Sequence, residues 1–450
     1  MKDIEDEIPF EVPEGWAWCR LGSVYEVNPR VIGEDESLAS FIPMEKIEAN
    51  HANLFTYETD SWKIIKKNHT LFQDGDICFA KISPCFENGK AFIASNLVNG
   101  IGAGTTELIV LRNELIEKKY TFYFLGCDSF VKDCCYTFNG VVGQQRISST
   151  FVKNHLFPLP PIEEQKRIVT EIEHSFTLIN SLEKEKSDLQ TAIKQAKSKI
   201  LDLAIHGKLV PQDSSDEPAS ILLEKLRAEK EAKIKAGELK RDKNDSYIYK
   251  NTTDNCYYQK FINGNETDIT DEIPFEIPDN WSWCNLGEIY SHTTGKALKK
   301  ENNKGTLRKY ITTSNLYWNC FDFTDVRTMY FTDDELEKCT IKKGDLVLCN
   351  GGDVGRAAIW KLDEDICYQN HISRLRPRLS GINNSFYLYV IQINKEKGNL
   401  SGKGVGISSL SATDILNLKI PLPPLAEQKR IVEKIENAFA KLDQIAEQLA

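Results

Sequence analysis

The 450 residues hold 12 cysteines but no C-x-x-C pair, which removes the usual spacing of a zinc finger. No apolar run approaches the ~20 residues that cross a bilayer. The acidic amino terminus is wrong for a signal peptide. A chain of this size needs no disulfide staples, so the thiols are expected to be reduced, in a cytoplasmic protein with no metal site. The catalytic inventory is equally thin. There is no G-x-x-x-x-G-K-[ST] phosphate loop, no H-E-x-x-H helix, no G-x-S-x-G elbow and no Asn-Pro-Pro-Tyr/Phe loop. The glycine-rich runs 100–104 and 351–355 read as turns. A basic excess is also lacking: 56 Lys+Arg against 66 Asp+Glu give a net charge of −10. Whole-chain charge governs solubility and steering, however, and leaves room for a local cationic face.

What is present is a duplication. Asp6-Glu7-Ile8-Pro9-Phe10-Glu11-Val12-Pro13-Glu14-Gly15-Trp16-Ala17-Trp18-Cys19-Arg20-Leu21-Gly22 returns at 271–287, with 12 of 17 positions identical. Pro158-Leu159-Pro160-Pro161-Ile162-Glu163-Glu164-Gln165-Lys166-Arg167-Ile168-Val169 returns at 421–432. The offsets, 271 − 6 = 265 and 421 − 158 = 263, keep the halves in register. Between these bookends the sequences diverge, apart from matches such as Asp74-Gly75-Asp76-Ile77 with Lys343-Gly344-Asp345-Leu346. Drift alone should not spare the edges and scramble the centre, so one scaffold presenting two different surfaces is the expectation. Strands are predicted at 77–80, 108–111, 346–348 and 357–360. The inserts therefore read as mixed α+β.

A helix follows each second bookend. In the first copy Ile168, Ile172, Phe176, Ile179 and Leu182 open a seam of 3- and 4-residue steps that continues to Leu203. In the second copy Ile431, Ile435, Phe439, Leu442 and Ile445 repeat it. Two matching helices in one chain can pair, and at 1.5 Å per residue the first would span ~65 Å. The resulting domain reading is 1–158, a first α+β domain; 159–206, the proximal helix; 207–270, a charged helix and linker; 271–420, a second α+β domain; and 421–450, a short distal helix.

Side chains able to form paired hydrogen bonds gather in the inserts. The first carries Lys81, Asn88, Lys90, Thr105, Thr106, Gln144, Gln145 and Arg146. The second carries Lys296, Lys299, Lys300, Arg308, Lys309, Thr312, Thr313, Asn315, Arg356, Gln369, Asn370, His371, Arg374 and Lys403. Arg and Lys suit guanine and phosphate, and Asn and Gln suit the adenine edge. Taken singly, each is more often a solvated surface residue. The runs Gln144-Gln145-Arg146 and Gln369-Asn370-His371 are the more specific signals.

Together these residues resemble the specificity subunit of type I restriction–modification enzymes, over essentially the whole chain. The two bookends carry the likeness, as do Ala204-Ile205-His206-Gly207-Lys208-Leu209-Val210-Pro211-Gln212-Asp213, the segment 79–90 with Thr105-Thr106-Glu107, and the segment 368–377. The resemblance implies two pseudo-twofold-related target-recognition domains separated by a long antiparallel helical coiled coil. Each domain would read one half of a bipartite, asymmetric double-stranded DNA site, and the helices would set the spacer. It also implies a bacterial or archaeal setting, two methyltransferase subunits and motor–nuclease subunits as partners. AdoMet, ATP and Mg would be bound by those partners, with no cofactor on this non-catalytic chain. Family members usually carry a longer distal helix, so either the chain is shortened or its coiled coil is asymmetric. Two other readings stay open. One is the recognition subunit of a related type II enzyme with a bipartite site; the other is a coiled-coil adaptor that binds only proteins. Acidic residues load the bookends and helices (Glu7, Glu163, Glu164, Asp271, Glu272, Glu433, Glu436), so the free chain is expected to hold DNA weakly without its partners.

Overall fold

A computed structural model describes residues 7–141, 144–238, 241, 245–298, 304–400 and 409–449. The chain divides into two compact units, Met1–Lys184 and Glu185–Ala450.

In the first unit the bookends meet. Ala17–Arg20 pairs antiparallel with Leu156–Leu159, setting Trp18 opposite Pro158. Two four-stranded sheets follow. One runs Glu26–Val27, Leu108–Arg112, Ile77–Ala80, Ala91–Ile93; the other runs Glu58–Ser61, Leu38–Ile42, Ile101–Gly104, Thr70–Gln73. The run Ile-Cys-Phe-Ala at 77–80 is buried at every position, as a central strand covered on both faces must be.

The second unit repeats this plan and adds a short hairpin, Leu316–Tyr317 with Cys320–Phe321. Ser282–Asn285 pairs with Lys419–Leu422, with Trp283 opposite Pro421. Its sheets run Tyr290–Thr294, Ile372–Pro377, Leu346–Cys349, Ala357–Ile359 and Arg327–Phe331, Thr306–Ile311, Ile366–Tyr368, Thr340–Ile341. Even the single parallel pairing recurs, Leu38–Ile42 with Ile101–Gly104 and Thr306–Ile311 with Ile366–Tyr368. The divergence between the inserts therefore lies in surface and loops, with topology unchanged.

Two polar anchors recur with it. Gly75 and Gly344 sit at φ +92° and +90°, a left-handed turn that favours glycine. The turn presents the buried Asp76 to Arg112 and the buried Asp345 to Arg376 as two-pronged pairs of 2.6–2.7 Å. The glutamine of the second bookend forms the other anchor. Gln165 accepts from the Glu117 N–H and donates to the Pro160 carbonyl, while Gln428 accepts from the Asn383 N–H and donates to the Pro423 carbonyl, all at 2.8–2.9 Å. Each glutamine thus ties the start of its long helix to the cap of a shorter one, Lys118–Leu125 or Asn384–Glu396.

The long helices are Ile162–Ile205 and Leu425–Gln448. Glu163 and Glu164 lie in the first turn of one and Glu427 in that of the other, complementing the helix dipole. Within the second unit Leu201, Ala204 and Ile205 share a core with Ile431, Val432 and Ile435. Lys197 ion-pairs with Asp443, and further along the chain Asp216 pairs with Arg430. As residue number rises on one strand of this contact it falls on the other, so the chain there runs antiparallel to the distal helix. The seam is not uniformly covered. Phe176, Ile179 and Leu182 are 49, 49 and 65 % exposed, and Ile445 is 42 % exposed.

Within residues 207–270 the expected charged helix is present, but the expected linker is a sheet. After the helix Ala219–Lys235 comes a three-stranded antiparallel sheet, Ser246–Lys250, Tyr257–Phe261 and Glu266–Asp268. Ile248 and Ile269 bury Trp283 beneath it, so the segment is part of the second unit's core. No helix among the described residues is long and apolar enough to cross a membrane.

Candidate nucleic-acid interface

In the first unit three separated stretches converge. The Lys81 N–H donates to the Glu107 carbonyl, the Ile147 N–H to the Lys81 carbonyl and the Ser83 N–H to the Gln145 carbonyl, at 2.8, 3.0 and 2.9 Å. Ile82 and Arg146 form an isolated bridge. These bonds bring Lys81, Thr105, Thr106, Gln144, Gln145 and Arg146 to one place. Arg146 is forked onto Glu107 at 2.9 and 3.0 Å and also donates to the Gln144 carbonyl at 2.8 Å. The guanidinium is thereby oriented but neutralised, an arrangement suited to directional hydrogen bonding rather than bulk phosphate attraction. Glu107 was not among the candidates. Its signal was the Thr-Thr-Glu run, legible only once Arg146 is placed beside it. Asn88 is exposed, whereas Lys90 donates to the Met44 carbonyl at 2.8 Å.

In the second unit the candidates separate into two groups. Lys296 is buried and donates to Glu335 at 2.6 Å and to the Tyr330 carbonyl at 2.7 Å, which holds the Glu335 carboxyl below the usual range. Asn315 is buried, accepts from the Thr312 N–H and donates to the Asp322 and Asp325 carbonyls, each at 2.9 Å. Arg374 is buried and donates to the Thr340 carbonyl at 2.5 Å. Lys296, Thr312, Asn315 and Arg374 are therefore interior residues that hold turns and strand ends, not members of an exposed polar face. Arg356 is mostly enclosed; it donates to the Thr313 carbonyl at 2.5 Å and lies 5.0 Å over the Tyr317 ring. Lys299, Lys300 and Lys403 lie outside the described residues.

The exposed group is Arg308, Lys309 and His371, with Thr313, Gln369 and Asn370 half-buried. Thr306–Lys309 is exposed at four consecutive positions, on both faces of the strand; on its neighbour Thr328, opposite Lys309, and Arg327, opposite Tyr310, are exposed, while Met329, Tyr330 and Phe331 are half-buried to buried. This is a two-stranded cationic ribbon projecting from the sheet, and such a ribbon fits a major groove. The Gln369 N–H bonds to the Ile311 carbonyl at 3.0 Å, so Gln369, Asn370 and the exposed His371 begin where the ribbon's strand ends. The matching place in the first unit, Leu38–Ile42 with Glu58–Ser61, is acidic instead, with Glu58 paired to Lys46 at 3.0 Å. The same scaffold thus carries opposite charge at one position and different polar loops at another.

Comparison with known proteins agrees with the duplication. Residues 13–191 and 278–450 both match the family described as "Type I restriction modification DNA specificity domain". The specificity subunit of the type I restriction enzyme EcoAI from Escherichia coli is 30% identical over 96% of this chain and 79% of that one. The EcoEI specificity subunit, also from Escherichia coli, is 29% identical over 99% and 81%. The MjaVIII specificity subunit of Methanocaldococcus jannaschii is 23% identical over 95% and 87%. Among solved structures, the HsdS subunit from Thermoanaerobacter tengcongensis superposes with a TM-score of 0.60 at 17% identity, covering 98% of this chain and 93% of that chain, which shows a shared fold. The matched family, its two copies and the repeated sheets agree: this chain belongs to the specificity subunits of type I restriction–modification systems.

Proposed function

We propose that each unit reads one half of a bipartite, asymmetric DNA sequence and that the long helices fix the unread gap between the halves. The supporting observation is the pairing of an identical strand topology with a different exposed polar surface in each unit, a cationic ribbon in one and the Lys81–Arg146 cluster in the other. Phosphate contacts would set the register and base-edge contacts the sequence. Two similar readers in one chain match the approximate dyad of DNA, as paired half-site readers do. The chain is non-catalytic in this reading. It directs adenine methylation by two methyltransferase subunits and restriction by motor–nuclease subunits, in the cytoplasm, with AdoMet, ATP and Mg held by those partners. The target adenines would be flipped into the methyltransferase subunits.

The test is exchange of residues 288–413 for the same region of another specificity subunit, followed by mapping of methylated adenines. One half of the methylated sequence should change while the other half and the gap persist. If both halves change, the two-reader assignment is wrong. DNA binding by the assembled methyltransferase should also weaken steeply with salt, and a flat plot of log K against log salt would remove the phosphate contacts from the account.

A further inference from the structure

The three-stranded sheet of the second unit buries one face and presents the other. Ile248 and Ile269 cover Trp283 on the inner side. Side chains alternate along a strand, so the register sets two rows on the outer face: Tyr249, Tyr258 and Asp268 in one, Tyr247, Lys260 and Glu266 in the other. The three tyrosines are half-buried. The Tyr249 and Tyr258 rings lie 5.8 Å apart and within 25° of parallel, with Tyr247 at 6.2 Å from Tyr249.

The hydroxyls of the central two are anchored. Tyr249 donates to Glu266 at 3.2 Å and Tyr258 donates to Asp254 at 2.9 Å. These bonds fix the rings, and a phenol polarised by a carboxylate presents a more electron-rich face. The surrounding charge is mainly negative. Asp254, Glu266 and Asp268 stand against Lys260, whose ammonium is bound to Glu266 at 2.6 Å. Lys260 holds the Glu266 carboxyl below its usual range, and hydrogen bonds from Thr270 do the same for Asp268, so both are ionised at neutral pH.

The same sheet shows what its rings accept. The Arg227 guanidinium lies 4.4 Å over the Tyr247 ring and the Lys250 ammonium 5.6 Å over the Tyr257 ring. Among the described residues no cation lies over Tyr249 or Tyr258. Single-stranded nucleic acid also stacks on aromatic platforms, but those platforms supply cations to the phosphates. Here the phosphates would meet Asp254, Glu266 and Asp268.

We propose that this outer face docks an arginine-bearing segment of a protein partner. A guanidinium is planar, so it lies flat on the Tyr249 and Tyr258 rings while its edge donates to the neighbouring carboxylates. Lysine brings the charge without the plane. The inference rests on the sheet alone and is independent of how DNA is read.

The test titrates a capped Gly-Arg-Gly-Arg-Gly peptide into the full chain, with the lysine version for comparison. The arginine peptide should bind saturably and more tightly than the lysine one, and ring currents should move its arginine Hδ resonances upfield. Tyr249→Leu combined with Tyr258→Leu leaves the inner face intact and should lower affinity at least ~10-fold. Asp254→Asn combined with Glu266→Gln keeps the rings and removes charge, so it should weaken binding and flatten its salt dependence. Circular dichroism checks that both variants fold. Affinity that survives either variant, or that is equal for the lysine peptide, overturns the proposal. So does binding of oligothymidylate that the leucine variant abolishes, because the rings would then be stacking bases.

Discussion

Replacing Arg308 and Lys309 together by alanine is expected to abolish methylation of the cognate site while leaving the protein folded. Both side chains stand on the exposed ribbon, opposite Met329 and Thr328. Exposed substitutions of this kind ordinarily change stability by no more than about 0.5 kcal/mol. On DNA each well-placed contact contributes about 1–3 kcal/mol, so the pair is worth about 2–6 kcal/mol, roughly 30-fold to 10⁴-fold in affinity. The measurement is binding of the assembled methyltransferase to duplexes in which each half-site is scrambled in turn. For the variant, scrambling one half should no longer matter, whereas scrambling the other should still weaken binding. If both halves keep their full effect, the ribbon makes no contact with DNA. The matching region of the first unit offers a control. It is acidic around Glu58, so Lys46→Ala there should change half-site discrimination little.

The frame was legible in the sequence because its constraints are local. Trp-Ala-Trp-Cys and Trp-Ser-Trp-Cys mark one bookend in each copy and Pro-Leu-Pro-Pro the other, and the structure pairs the two as strands. The central strands were legible at 77–80 and 346–348 as unbroken apolar runs. Their common topology was not, because Ile-Cys-Phe-Ala and Leu-Val-Leu-Cys share only volume and polarity, and a core asks for no more than that. The linker reading of 241–270 missed a sheet for a related reason. Its sheet is built from tyrosines and charged residues at half-buried positions, and only Ile248 and Ile269 mark the buried side. The candidate surface was half legible. A lysine such as Lys296 reads as exposed until Glu335, 39 residues away, supplies its partner. The helical period likewise shows which residues share a face, but it cannot show that Ile431 is covered while Phe176 is open.

The recurring buried ion pair gives the largest effect expected on stability. Asp76 is 1 % exposed and is held by Arg112, with a further hydrogen bond from the Gln73 N–H at 2.8 Å. Arg112→Met would leave that carboxylate enclosed and short of a counter-charge, at a cost of about 3–5 kcal/mol. Arg376→Met should cost less. Its guanidinium is 36 % exposed, so water already screens part of the bond to Asp345. The pair is not a net source of stability in proportion to that loss, because both charges were taken out of water to make it. Asp76→Asn combined with Arg112→Met should therefore recover much of what Arg112→Met alone loses. Urea midpoints of the four members of the cycle measure this directly. Equal, additive losses in the two single variants would show that the carboxylate finds water once Arg112 is gone. The same outcome would make the pair a surface contact in energetic terms, and the Gly-Asp turn would then owe its recurrence to Gly75 and Gly344 alone.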